Sequence, residues 1–183
     1  MKKTFVLFLS LLFLSTSMYA QKKHFVGDTY AEGGVKGIVF YVTDGGYHGK
    51  MLSLEESEQL WCSNLNYEIV IPKNSDDGSL NTRLLYENRS INLADYPAFN
   101  WCKSLGYGWY LPSLKEVLEI YKHKAVINKA LYYYGGKLIS NQKIWTSTEY
   151  DEVRAYHVYM DTGKIYPSEK IEDGRYVRAV RSF

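Results

Sequence analysis

The sequence predicts an α+β domain in which two helices stand between small antiparallel sheets. Three observations carry that prediction. A hairpin pattern spans 37–54, a capped amphipathic helix begins at Ser113, and the chain from 144 onward alternates short strand-like runs with turns. Strands followed by helices and then strands again do not form the alternating βαβ order of a parallel sheet. There is no internal repeat and no low-complexity tract.

Taken in order, residues 1–20 read as an export signal. Lys2 and Lys3 precede the apolar run FVLFLSLLFL, and STSMYA leads to a cut after Ala20 or, because Met18 is large for its position, after Ser17. The run is too short to cross a bilayer at roughly 20 residues per span. The chain is therefore predicted to be exported and not membrane-spanning, reaching the periplasm, the cell surface or the medium. Residues 21–36 read as a polar N-terminal arm, and 37–183 as a single domain. In the hairpin, GIVFYVT is β-branched and aromatic, DGGYHG supplies turn residues, and KMLSL resumes the strand. KNSDDGSLNT, 73–82, reads as a loop. Its Asp76, Asp77, Asn81 and Thr82 lack the register and terminal glutamate of a calcium loop, so no metal is assigned.

Residues 93–105 suit a short helix, with Pro97 in the first turn, Ala98, Trp101, Cys102 and Leu105 on one face and Gly106 at its end. PSLKEVLEIYKH sets Ser113 and Glu116 at capping-box spacing, and Leu114, Val117, Leu118 and Tyr121 form an apolar stripe that reads as a core face. KIWTST, RAYHVYM and YVRAVRSF then read as strands, with Asp161–Lys164 as a tight turn.

Composition narrows the function classes. With 46% apolar and 23% charged residues the chain is globular. Without Lys2 and Lys3, 20 basic residues face 20 acidic ones. That balance gives no electrostatic footprint for nucleic acid. Tyrosine is abundant at 18 residues, which suits half-buried sheets and equally sugar- or protein-binding surfaces. The two cysteines, Cys62 and Cys102, each follow a tryptophan. In an exported chain they are a disulfide candidate, worth about 4 kcal/mol in the chain-entropy model; the alternative is two buried thiols.

The polar stretch WTSTEYD, 145–151, poses the main functional question. One reading is architectural: Trp145 packs a sheet, Thr146, Ser147 and Thr148 bond neighbouring backbone, and Glu149 and Asp151 pair with Arg154, Arg178 or Arg181. The other is a ligand surface, with Trp145, Glu149, Tyr150 and Tyr156 at its rim and Tyr133 and Tyr134 as a second aromatic group. Aromatic faces with carboxylates and amides suit sugar rings and their hydroxyls. Catalytic patterns are weak. Ser140–Lys143 matches S-x-x-K without its companion motifs. Ser147, His157 and Glu149 make a triad only on paper. His157 reads as a packed sheet histidine, and His48 as a solvated turn residue. No catalytic residue and no cofactor are assigned.

GWYLPSLKEV (108–117), IWTSTEYD (144–151), DTGK (161–164) and VRAVRSF (177–183) follow one another as in the bacterial DUF1566 proteins. The chain resembles that family, which is related to the C-terminal domain of the Legionella collagen-like adhesin and to the Fibrobacter major-paralogue domains. GGVKGIVFYVTDGGYHGKMLSL and DDGSLNT look like its earlier blocks, so the resemblance covers roughly 25–183. It implies a C-type-lectin-like fold with two helices, small antiparallel sheets and chain ends close together. It also implies a non-enzymatic recognition module in adhesion, binding a glycan or a surface protein at the cell envelope. The chain lacks the collagen-like repeat, so polyvalent adhesion would need an oligomer or an assembly partner. This leaves a second expectation, a structural subunit of a surface or pilus-like assembly. The E-P-N or Q-P-D tripeptides of calcium-dependent lectins are absent, as are the C-terminal cysteines of formylglycine-generating enzymes.

Overall fold

The computed structural model describes residues 22–65, 68–71 and 73–183. The export-signal reading of 1–20 lies outside them. Strand β1 (Thr29–Glu32) turns into β2 (Val35–Thr43) and β3 (His48–Leu52), followed by the short β4 (Ser57–Glu58). Helices α1 (Gly78–Glu87), α2 (Pro97–Ser104), α3 (Leu114–Lys122) and α4 (Lys124–Tyr133) come next. The chain closes with β5 (Lys143–Glu149), β6 (Arg154–Tyr159), β7 (Ile165–Glu169), β8 (Tyr176–Val177) and β9 (Val180–Ser182).

These strands make two sheets, in the orders β1-β2-β3-β9 and β4-β8-β5-β6-β7. All pairings are antiparallel except β5 with β8, which meet in parallel at Ile144 and Tyr176. The protein is thus α+β with small, mainly antiparallel sheets. The predicted hairpin is present as β2–β3. The segment read as an arm is part of the first sheet: β1 pairs with β2 across Gly33 and Gly34, whose φ values of 58° and 78° give the turn geometry that a two-residue hairpin needs. The two ends of the described residues come together. Phe183 exchanges both backbone hydrogen bonds with Gly49, and its ring lies 5.2 Å from His24.

Helices α2 and α3 form where their starts are chemically marked. Ser113 and Glu116 make the predicted capping box of α3, and Pro97 opens α2 at its first turn. Two helices of the four among the described residues were not predicted. KNSDDGSLNT is not simply a loop: Asp77 caps α1 by accepting from Leu80 N at 3.0 Å. The helix α4 buries Ile127, Ala130 and Leu131 on one face. YVRAVRSF is also not one strand. β8 and β9 belong to different sheets, and Arg178 and Ala179 carry the chain between them.

Two apolar clusters fill the interior. One gathers Trp61, Phe99, Leu111, Trp145 and both cysteines. The other joins Ile38, Phe40, Val117, Ile120, Ile144 and Val158 where α3 lies against β2, β5 and β6. The disulfide expectation fails here. Cys62 and Cys102 are both free and buried. Within the first cluster they act as small apolar side chains. Burial pushes the Cys62 thiol up to about 11 and Cys102 well above its usual range. A protonated, enclosed thiol is a poor nucleophile for exchange. Native protein is therefore expected to resist alkylation at both cysteines, and unfolded protein to take two adducts with or without reductant, as read by intact mass.

Candidate functional site

Six of the seven residues of β5 are buried, and polar side chains follow one another along it. Its ladder with β6 is irregular between Trp145 and Glu149, which frees backbone and side chains to bond elsewhere. Trp145 Nε1 donates to Gln59 O at 3.1 Å, and Thr146 Oγ1 to Tyr156 O at 2.8 Å. Ser147 N donates to Pro112 O at 2.7 Å, while its hydroxyl accepts from Asn81 Nδ2 at 2.9 Å. Thr148 Oγ1 donates to Asn74 O and accepts from Leu114 N, both at 3.0 Å. Glu149 accepts from Ile71 N at 2.9 Å, from Val70 N at 3.3 Å and from Lys170 Nζ at 2.6 Å. Lys170 also donates to Glu152 O at 2.8 Å and stands 4.9 Å from the Trp61 ring centre.

Two further buried charges follow the same logic. Glu116 accepts from Ser113 N at 2.7 Å, Gly78 N at 3.2 Å and the Tyr110 hydroxyl at 2.9 Å, and pairs with Lys50. One carboxylate therefore serves the starts of both α1 and α3. Gly78 is required there because a Cβ would lie 2.5 Å from Leu111 O and from Ser113 N. Arg178 donates to Ser53 O, Leu54 O and Lys137 O, and pairs with Glu56 at 2.7 Å.

The predicted ligand residues separate into two groups. Trp145 and Glu149 are fully buried and offer no surface to a ligand, because their polar atoms hold the fold. Tyr150 and Tyr156 do lie together, with ring centres 5.3 Å apart, and Arg154 covers Tyr150 at 4.5 Å. Tyr133 and Tyr134 are exposed on the end of α4, beside a shallow cleft of about 300 Å³ with Val26, Val126 and Lys129. Of the proposed ion pairs, Asp151–Arg154 forms, whereas Glu149 takes Lys170 and Arg178 takes Glu56. Asp76 pairs with Lys115 and Asp77 caps α1.

The catalytic patterns dissolve into local contacts. Ser147 bonds Asn81, Ser140 bonds Gln142, and the Lys143 ammonium sits 5.2 Å from the Tyr159 ring centre. His157 is packed among Trp145, Tyr159 and Tyr166, with neither ring nitrogen hydrogen-bonded among the described residues. Burial first, then the nearby cations Arg175 and Lys143, hold its pKa down to about 4.

A cleft of about 580 Å³ opens between α1 and the loop that leaves α2. Thr82, Arg83 and Tyr86 line it from α1; Tyr107 and Trp109 line it from the loop. Tyr107 is 94% exposed, a large aromatic ring held in solvent. Tyr86 is anchored by its hydroxyl to Phe99 O at 2.9 Å, and the Lys103 ammonium lies 5.0 Å from its ring centre. Arg83 and Glu87 pair at 3.4 Å on the rim. Aromatic walls with donors and acceptors of both signs can hold an amphipathic ligand. Sequence reading missed this site because its halves are far apart in the chain. The local signal was GYGWY, 106–110, in which both glycines take positive φ.

No protein-family model matches the sequence, and no curated protein matches it. Among solved structures, the fold is similar to that of a fimbrial protein from Bacteroides ovatus ATCC 8483, with a TM-score of 0.70. Identity is 16%, and the match covers 87% of this chain and 49% of that one. The chain thus spans about half the length of that protein, and the likeness is one of fold.

Two outcomes follow from the buried charges. Glu149→Gln leaves the Lys170 ammonium without its counter-charge and is expected to cost about 3–5 kcal/mol in urea unfolding. The pair Glu149→Leu with Lys170→Met should recover much of that loss. His157 stays neutral in the fold down to about pH 4, whereas the unfolded chain protonates it near 6.5. The unfolded state then binds more protons, so stability should fall as pH drops from about 6.5 to 4, by up to about 3 kcal/mol. His157→Phe should remove that component of the pH slope.

Proposed function

We propose that this chain is a non-enzymatic recognition module of a bacterial surface assembly, binding a glycan in the cleft between α1 and the loop after α2. One observation carries the reading. The polar chemistry of the WTSTE strand is committed to internal pairing, while the exposed Tyr107, the half-buried Tyr86 and the exposed Arg83, Glu87 and Lys103 gather around this cleft. Support comes from the fold shared with a fimbrial protein, from the DUF1566-like blocks, and from the export signal read in residues 1–20.

A second reading, a structural subunit with a protein partner, is favoured by exposed apolar side chains at one end of the molecule. Phe25, Tyr132, Tyr133 and Tyr134 are each more than half exposed, and Val126 stands at 40%. The two readings differ in what the purified protein retains. A recognition module keeps affinity for free glycans; an assembly subunit of this kind does not.

Purified residues 21–183 on an array of host and bacterial glycans, with and without chelator, test the proposal. Competable binding to one glycan class, unchanged by chelator, is the expected result. Tyr107→Ala should weaken it at least tenfold, more than Tyr133→Ala or Tyr150→Ala. Folded protein that binds no glycan would overturn the proposal and favour the subunit reading.

A further inference from the structure

We infer that the cleft is one half of a longer groove that crosses Trp109 and takes a linear glycan, with sugars seated on both sides of that side chain. The inference rests on the recognition reading above and adds the length and path of the ligand.

Trp109 lines two clefts. On one side lies the 580 Å³ space walled by Tyr86 and Tyr107. On the other, a space of about 200 Å³ is lined by Lys36, Ser53, Glu55 and Leu105. Leu105 and Gly106, adjacent in the chain, line one cleft each, so the loop that leaves α2 runs between them. The smaller space is below the usual size of an independent ligand pocket, whereas the larger falls within that range by itself. An extended ligand explains why a second, smaller cleft shares the wall of the first.

The backbone around the groove favours a sugar chain over a peptide. Peptides commonly dock by adding a strand to an open sheet edge. Here the nearby main chain is already paired: Ser53 N donates to Ala179 O at 2.9 Å, and Tyr110 exchanges bonds with Val180 at 2.9 and 3.0 Å. Val35 pairs with Glu32 at the β1–β2 turn. What remains for a ligand is side-chain chemistry: Lys36 and Glu55 on one side, Arg83, Glu87 and Lys103 on the other, all exposed. Donors and acceptors of both signs on each side match hydroxyl groups, which both donate and accept. The aromatic rings of Tyr107 and Tyr86 match the apolar faces of pyranose rings.

The test uses linear malto-, cello- and chito-oligosaccharides of one to six units, together with length series of any glycan bound on the array, measured by calorimetry or biolayer interferometry. Affinity is expected to rise at least tenfold between one and three units and then level off. Lys36→Ala with Glu55→Ala, both at exposed positions, should weaken the longer ligands about tenfold and leave the shortest unchanged. Trp109→Ala should abolish the gain with length; where it fails to fold, the double variant still decides. Length-independent binding, or a double variant that binds every length like the parent, overturns the groove and leaves the recognition reading intact. Folded protein that binds no glycan of any length overturns both.

Discussion

A strand buried on both faces can carry threonine, serine and glutamate only if each polar group finds a partner inside the protein. β5 meets that constraint by reaching outward to different segments with successive side chains: the chain just after β4, the neighbouring β6, the loop before α1, α1 itself, the start of α3 and the stretch at Val70 and Ile71. Irregular connections therefore acquire fixed positions without ladders of their own. The Glu149–Lys170 pair is the most demanding part of the scheme. Burial pushes the Glu149 carboxyl up, against the Lys170 ammonium and two backbone N–H groups that favour its charge. A buried ion pair of this kind adds little net stability compared with apolar packing, but removing one partner is costly.

The same constraint accounts for why the polar side chains of β5 offer nothing to a ligand. Glu149 and Ser147 are fully buried, so neither offers a surface to a ligand. Glu116 and Arg178 repeat the pattern, each joining several segments through one charged group. The exposed Tyr107 stands instead where α1 faces the Gly106–Tyr110 loop. α1 is itself placed by the internal network, through Asn81 on Ser147 and Gly78 on Glu116. In this sense the buried strand serves the cleft indirectly, as the frame on which one of its walls is mounted.

Much of the fold was legible where the signal is local. Ser113 and Glu116 announce α3 within four residues, GIVFYVT and KMLSL announce the hairpin, and Pro97 and Gly106 bracket α2. Helix α1 was hidden because it opens with Gly78 and Ser79, residues that read as loop; only the Asp77 cap and the four-residue spacing of Leu80 and Leu84 hinted at it. The fates of Trp145, Glu149 and the cysteines were not legible. A tryptophan beside a threonine–serine–threonine run looks the same in sequence whether it faces solvent or core, and two cysteines do not state their separation. The cleft depends on contacts between α1 and residues 106–110, which no local pattern encodes.

Native-state hydrogen exchange tests the central claim most directly. The amides of Ile71 and Leu114 are bonded to side chains of β5, at 2.9 Å to Glu149 and 3.0 Å to Thr148. If β5 organises the fold, these two should exchange as slowly as the core strand amides, through global unfolding only, with the same denaturant dependence. Fast, denaturant-independent exchange at Ile71 and Leu114 beside a protected β5 would contradict the account. The strand would then be an ordinary buried element and the loops would be held by something else.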